Sequence, residues 1–192
     1  MKKITIALIM VISLIAPIQT MAESVTQNGT IIEPLEQNIE QIIDEITSEP
    51  RPINSDAIQN VKEYISEYFG NLGYDKIEYQ KFEYNNENNE NAIVDGIGEN
   101  IIVTKNSSID TTKNLIISAH YDSAEDSVGA NDNGSGVAAV LELARILKDT
   151  EIPYNIKFIL FSGEEKYMLG SRWYVGKLTE DERKQIIGVI NI

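Results

Sequence analysis

At 192 residues and 42% apolar composition, the chain is long enough for one globular domain with a core of its own. A formal charge of −14 argues against nucleic acid or an anionic membrane surface as partner. The absence of cysteine excludes a disulfide framework, a lipid-modified cysteine and a thiolate metal site, so any metal must be held by His, Asp and Glu.

Lys2 and Lys3 precede an apolar run from Ile4 to Ile15, followed by Pro17 and the tripeptide Thr20-Met21-Ala22. This pattern is that of a secretory signal peptide spanning residues 1–22. A retained membrane anchor is the alternative, but the run is shorter than the roughly 20 residues that cross a bilayer. Cleavage after Ala22 removes two lysines and no acid, leaving 14 basic against 30 acidic residues, a formal charge of −16. The expected product is a secreted protein, extracellular or periplasmic, with no membrane anchor.

Residues 23–53 are polar and acidic, with Ile39, Ile42, Ile43 and Ile46 at helical spacing before Pro50 and Pro52. They read as a propeptide or spacer, or as a peripheral helix leading into the domain. The domain is placed at residues 54–192. Asn54 is the expected cap of a helix whose face is Ile58, Val61, Ile65, Tyr68, Phe69 and Leu72, ending at Gly73. Ile77 to Tyr84 alternates as a strand, Asn85 to Asn91 is a solvated loop, and Ile101 to Thr104 resumes the strand pattern. After Thr112 apolar strands and helices alternate: strand Leu115 to Ala119, helix Val137 to Leu147, strand Ile156 to Phe161, helix Leu169 to Leu178. Thr179 to Gln185 forms a turn or short helix before a third apolar strand, Ile186 to Ile192. The fold class is α/β, a mixed, largely parallel sheet covered by helices on both faces, with function at the strand ends. The last strand closes with no turn residue after it, which reads as a C-terminally incomplete domain.

The chemistry gathers at those strand ends. His120, the single histidine, follows the Leu115 strand, and Asp122 lies two residues on. In persisting strand geometry the two side chains leave on one face, where one can bind a metal while the other orients the imidazole. Asp132 lies in Gly129-Ala130-Asn131-Asp132-Asn133-Gly134-Ser135-Gly136, small residues just before a helix whose positive end favours an anion. Glu164 and Glu165 end the next strand. Two carboxylates in one cleft repel, so a cation or a raised proton affinity is required, and the roles can divide: one binds metal, the other takes a proton from water. Each motif alone reads more simply as a structural histidine, an Asn/Gly turn or a solvated acidic turn; three strand ends together favour a metal site. One imidazole with several carboxylates suits a hard-to-borderline divalent cation such as zinc. The glycosylation-type tripeptides at Asn28, Asn106 and Asn133 are incidental, the last lying within the site.

His120-Tyr121-Asp122-Ser123, the glycine-rich segment around Asp132, Glu164-Glu165 with Leu169-Gly170-Ser171, and Gly188-Val189-Ile190-Asn191 together resemble the co-catalytic dizinc exopeptidases typified by bacterial leucyl aminopeptidase. The resemblance covers about Asn54 to Ile192, the N-terminal part of such a domain. It implies that His120 binds the first of two zinc ions, Asp132 bridges both, Glu165 binds the second, Glu164 is the general acid/base and Asp122 supports His120. It also implies a cis peptide between Asp132 and Asn133. The family's Asn-x-Asp segment supplies a further aspartate; Asn191 and Ile192 match its first two positions, and a later histidine completes the ligand set. Tyr167 stands where the family often has glycine, which would alter the pocket wall.

The implied activity is hydrolysis of the N-terminal bond of peptides or proteins. Two other readings are weighed against it: a noncatalytic module of the same fold, and an inactive fragment. Retention of Glu164, which hydrolysis needs more than folding does, disfavours the noncatalytic module.

Overall fold

The computed structural model describes residues 26–27, 30–31, 34–85 and 96–192. The signal peptide expected at residues 1–22 and most of the solvated loop expected from Asn85 to Asn91 lie outside the described residues. In chain order the elements are β1 (Thr26–Gln27), β2 (Thr30–Ile31), α1 (Glu36–Ile46), α2 (Asp56–Asn71), β3 (Ile77–Tyr84), β4 (Gly96–Lys105) and β5 (Asn114–His120). An irregular turn, Ala130–Gly134, leads into α3 (Ser135–Leu147), followed by β6 (Asn155–Phe161), α4 (Leu169–Lys177), α5 (Glu180–Gln185) and β7 (Ile186–Asn191). Among the described residues no helix is long and apolar enough to cross a membrane.

β3 to β7 form one five-stranded sheet in the order β3-β4-β6-β5-β7. The β3–β4 and β4–β6 pairings are antiparallel, whereas β6–β5 and β5–β7 are parallel. Ile101 and Val103 of β4, Leu115, Ile117 and Ala119 of β5, and Ile156, Phe158 and Leu160 of β6 line one face. Ile58, Val61, Ile65 and Phe69 of α2 and the apolar body of α3 cover that face. Alternation sends Ile102, Ile116 and Ile159 to the opposite face, against Tyr174 of α4. Each such side chain taken fully out of water contributes about 1.5–3 kcal/mol, which fixes strand register because a one-residue slip would expose the whole set.

α3 is apolar on nearly all sides, so one covering layer does not satisfy it. α1 supplies the second layer: Ile39, Ile42 and Ile46, from the segment expected as propeptide or spacer, sit in the same core. Polar contacts reinforce this docking. The carboxylate of Glu142 in α3, fully buried, is paired with Arg145 at 2.7 Å and accepts from the Leu35 backbone N–H at 2.8 Å.

The cap of α2 differs from expectation. Ser55 Oγ accepts from the Ile58 N–H at 3.1 Å and is the cap, one residue after the expected Asn54. Asn54 instead adopts a left-handed conformation, φ 71°, and donates its side-chain amide to the Tyr84 hydroxyl; asparagine tolerates this region better than most residues. At the other edge β7 leaves Ile187 and Val189 exposed, 49% and 59%.

Candidate metal centre

β5 and β6 are adjacent and parallel, so their carboxyl ends open on the same side, where ligands bind in sheets of this kind. His120 is the last residue of β5 and pairs in register with Phe161, the last residue of β6. The chain continues from Phe161 through Ser162 and Gly163 to Glu164 and Glu165, bringing both glutamates to the histidine's end of the sheet.

Asp132 arrives from the Ala130–Gly134 turn. The Asp132–Asn133 peptide is cis, as the resemblance implied. Two glycines allow the turn to fold back on itself. Gly129 has φ +57°, and a Cβ there would stand 2.4 Å from the Asp132 carbonyl oxygen and 2.7 Å from Ser123 Cβ; a Cβ on Gly134 would stand 2.7 Å from Thr47 Cγ2. The side chain that caps α3 is that of Asn133, whose Oδ1 accepts from the Gly136 N–H at 3.0 Å. The Asp132 carboxylate is thereby left free to face outward, 75% exposed.

His120 is held from both sides. Its Nε2 lies 3.0 Å from Asp132 Oδ1 and 3.9 Å from Glu164 Oε2. Its Nδ1 lies 3.2 Å from the Asp122 carbonyl oxygen and 3.5 Å from Asp122 Oδ1. Asp122 is buried, and its carboxylate does more than orient the ring. Oδ1 accepts from the Glu164 N–H at 3.1 Å and Oδ2 from the Glu165 N–H at 3.2 Å. One carboxylate therefore ties the end of β5 to the turn after β6 and sets where both glutamates begin.

Four of the five expected residues, His120, Asp122, Asp132 and Glu164, lie within ion-pair distance of the imidazole or are linked through it. Glu165 is joined to the group through its backbone N–H; its carboxylate forms no ion pair with His120 among the described residues. No three His, Asp or Glu side chains among the described residues already enclose a common metal position.

The electrostatics are those of a cleft with excess negative charge. Burial opposes the imidazolium form of His120, but the hydrogen bond and charge of Asp122, with the charges of Glu164 and Asp132, outweigh it and raise the pKa. Burial raises the pKa of Glu165, and Asp132, Asp122 and Glu164 add to the rise while His120 opposes it. The neighbouring charges press both groups toward protonation in the absence of a cation, although at Glu165 burial is the larger cause. A divalent cation between His120 Nε2, Asp132 and Glu165 would serve the same end, and this donor set, one imidazole and carboxylates without thiolate, fits zinc. Protons and metal compete for the same imidazole nitrogen.

Some of the site was not foreseen from spacing. The double acceptance by Asp122 and the cap by Asn133 are contacts to backbone that sequence spacing does not encode. Tyr167, the departure from the family pattern, adopts φ 64° and is followed by Met168 at φ 59°. The left-handed conformation accounts for a preference for glycine here, since a Cβ costs roughly 1–2 kcal/mol in that region. The ring is 70% exposed beside the Glu164-Glu165 turn.

The profile of peptidase family M28 matches residues 100–192. Aminopeptidase YwaD of Bacillus subtilis (strain 168) is 43% identical over 95 residues, 49% of this chain and 21% of that protein. An aminopeptidase of Pseudomonas aeruginosa is 40% identical over 78 residues, 40% of this chain and 14% of that protein. The matched segments thus span about a fifth or less of these relatives. Among solved structures, BSAP, a zinc aminopeptidase from Bacillus subtilis, superposes with a TM-score of 0.72 at 19% identity, over 81% of this chain and 68% of that one. Porphyromonas gingivalis glutaminyl cyclase superposes with a TM-score of 0.69 at 18% identity, over 82% and 58% of the two chains. At such identities the superpositions show a shared fold, whereas the family match falls on the segment that carries His120, Asp122, Asp132, Glu164 and Glu165. Residues 100–192 thus match the model of peptidase family M28, and the chain is similar to the N-terminal part of zinc aminopeptidases.

Proposed function

We propose that the chain is part of a secreted zinc metalloexopeptidase that removes residues from the free N-termini of peptides or proteins. The observation that carries this reading is the convergence of His120 Nε2, an Asp132 carboxylate oxygen and the Glu164 carboxylate at one end of two parallel strands, with Asp122 bound beneath them. In this reading His120 and Asp132 would hold one zinc and Asp132 and Glu165 another, while Glu164 would bind neither. Zinc, once bound, supplies Lewis acidity toward the scissile carbonyl and makes water more acidic. Glu164 accepts the proton of the attacking water and delivers it to the leaving amine. Asp122 keeps the imidazole oriented and holds the backbone of both glutamates in place.

Three protein donors shared by two zinc ions are fewer than the three per zinc usual in catalytic sites. We therefore also propose that further ligands, an aspartate and a histidine, come from sequence beyond Ile192. The Ile192 carbonyl accepts from Asn133 Nδ2 at 2.8 Å and its N–H donates to the Ser118 carbonyl at 2.9 Å, so a continuing chain would leave directly beside the Asp132 turn.

The test is an assay on an aminoacyl anilide with residues 23–192 and with a chain extended through the further ligands. The extended protein should hydrolyse the substrate, lose activity to a chelator, regain it with zinc and ignore the N-acetylated substrate; exported material should begin at Glu23. The short chain should bind zinc weakly and show no turnover. Chelator-resistant hydrolysis, or equal cleavage of the blocked substrate, would remove the proposal. Chelator-sensitive turnover by the short chain would show the ligand count to be wrong.

A further inference from the structure

Arg51 lies in the polar stretch between Pro50 and Pro52, where no periodicity or motif marks it, yet it is completely buried. Among the described residues no carboxylate forms an ion pair with it. Its guanidinium donates instead to three main-chain carbonyls: Nε to Tyr121 at 2.8 Å, Nη1 to Val128, and Nη2 to Gly129 at 3.0 Å. Its own backbone completes the grip, the N–H donating to Ser123 Oγ at 2.9 Å and the carbonyl accepting from the Ser123 N–H at 3.3 Å. All these partners lie in the segment 121–129, which connects His120 and Asp122 at one end to the Asp132 turn at the other.

A buried cation without a carboxylate partner is costly, and its retention calls for a structural return. Here the planar fork spans three carbonyls, of which Gly129's also accepts from the Gly134 N–H at 2.8 Å, a geometry a lysine ammonium does not reproduce. The charge also lies near the acidic cleft, where Asp122 and Asp132 act on it at longer range. Thr47, from the same N-terminal segment, packs where a Cβ on Gly134 would stand, so the Asp132 turn is braced by this segment on a second side.

We propose that Arg51 is a positioning residue for the metal centre: it pins the segment 121–129 and so sets the distance between His120 and Asp132. The segment ending at Ile53 is then a working part of the site and not a removable spacer. The inference rests on the reading of His120 and Asp132 as zinc ligands, and the experiment separates the two.

Zinc affinity, by competition with a chromophoric chelator, and amide hydrogen exchange are measured on the full chain and on Arg51→Met, Arg51→Lys and His120→Ala. Arg51→Met keeps the stem and removes every donor; Arg51→Lys keeps the charge and loses the fork. Both should speed exchange in 121–129 while α3 keeps its protection. Zinc affinity should fall about tenfold or more with methionine, the range for losing a group that orients ligands, and by less with lysine. Affinity within about twofold of wild type in folded Arg51→Met, below any effect expected of an orienting group, overturns the inference. If Arg51→Met does not fold, Arg51→Lys decides by whether affinity and loop exchange change at all. Zinc binding that His120→Ala leaves unchanged overturns the reading of the centre itself; binding lost in His120→Ala but retained in the Arg51 variants overturns only the role of Arg51.

Discussion

Glu164→Gln, in a protein carrying the complete ligand set, should leave zinc content near wild type while lowering hydrolysis at least about a hundredfold, the low end for losing a general base. The substitution keeps the volume and one oxygen but removes the basic carboxylate. The backbone of residue 164 is unaffected, because its N–H is anchored on Asp122 Oδ1 at 3.1 Å irrespective of the side chain. The Glu164 side chain is 41% exposed and 3.9 Å from His120 Nε2, open enough to meet a substrate and close enough to act at the same centre. Zinc analysis and kcat on one preparation check the expectation. Loss of zinc together with rate would mean that Glu164 is a ligand and that the two glutamates have exchanged roles. Unchanged activity would take it out of the mechanism.

Asp122→Ala should have the second largest effect, acting on metal affinity and stability together. It strips the acceptor from the Glu164 and Glu165 N–H groups and removes the carboxylate beside His120 Nδ1. Loss of a group that orients a metal-binding histidine costs about 10–100-fold in affinity. A buried donor left without a partner costs about 1–3 kcal/mol. Both hydrogen bonds are only partly buried and water reaches the N–H groups in the variant, so the combined loss should lie near 2 kcal/mol, the low end of the roughly 2–6 kcal/mol for two such donors. Asp122→Asn, which keeps one acceptor oxygen, should fall between alanine and wild type. Urea unfolding of the metal-free chain and a zinc titration give the two numbers separately. Zinc affinity of Asp122→Ala within about twofold of wild type would contradict the supporting role assigned to Asp122.

The elements built on apolar periodicity were legible from sequence. The run Leu115 to Ala119 is the interior of β5, and the structure adds Asn114 and His120 at its ends. Ile77 to Tyr84 is β3 in full, because its alternation reports which side chains face the core. β4 begins earlier than the apolar residues suggest, at Gly96, since pairing with β3 continues through residues with no apolar signal. α1 illustrates the limit of this reasoning: Ile39, Ile42 and Ile46 announced a helix, but only the all-round apolar character of α3 creates the surface that buries them.

The candidate ligands were legible for a different reason. His120 and the two glutamates follow apolar strands, so topology brings them to one end once β5 and β6 are neighbours, and Asp132 reaches that end on the turn before α3. What supports them was not legible. Arg51 and Asn133 hold backbone groups far away in sequence without any mark of type or spacing, and Asp122, foreseen beside His120, gave no sign of its hold on the backbone of Glu164 and Glu165.

The most direct measurement is anomalous diffraction at the zinc edge from crystals of the zinc-loaded protein. Two peaks should appear, one about 2.0–2.2 Å from His120 Nε2 and an Asp132 carboxylate oxygen and the other at that distance from Asp132 and Glu165 carboxylate oxygens, the normal zinc bond lengths, with Glu164 outside bonding distance of both. Zinc bound away from His120 and Asp132, or bound through Glu164 in place of Glu165, would contradict the account.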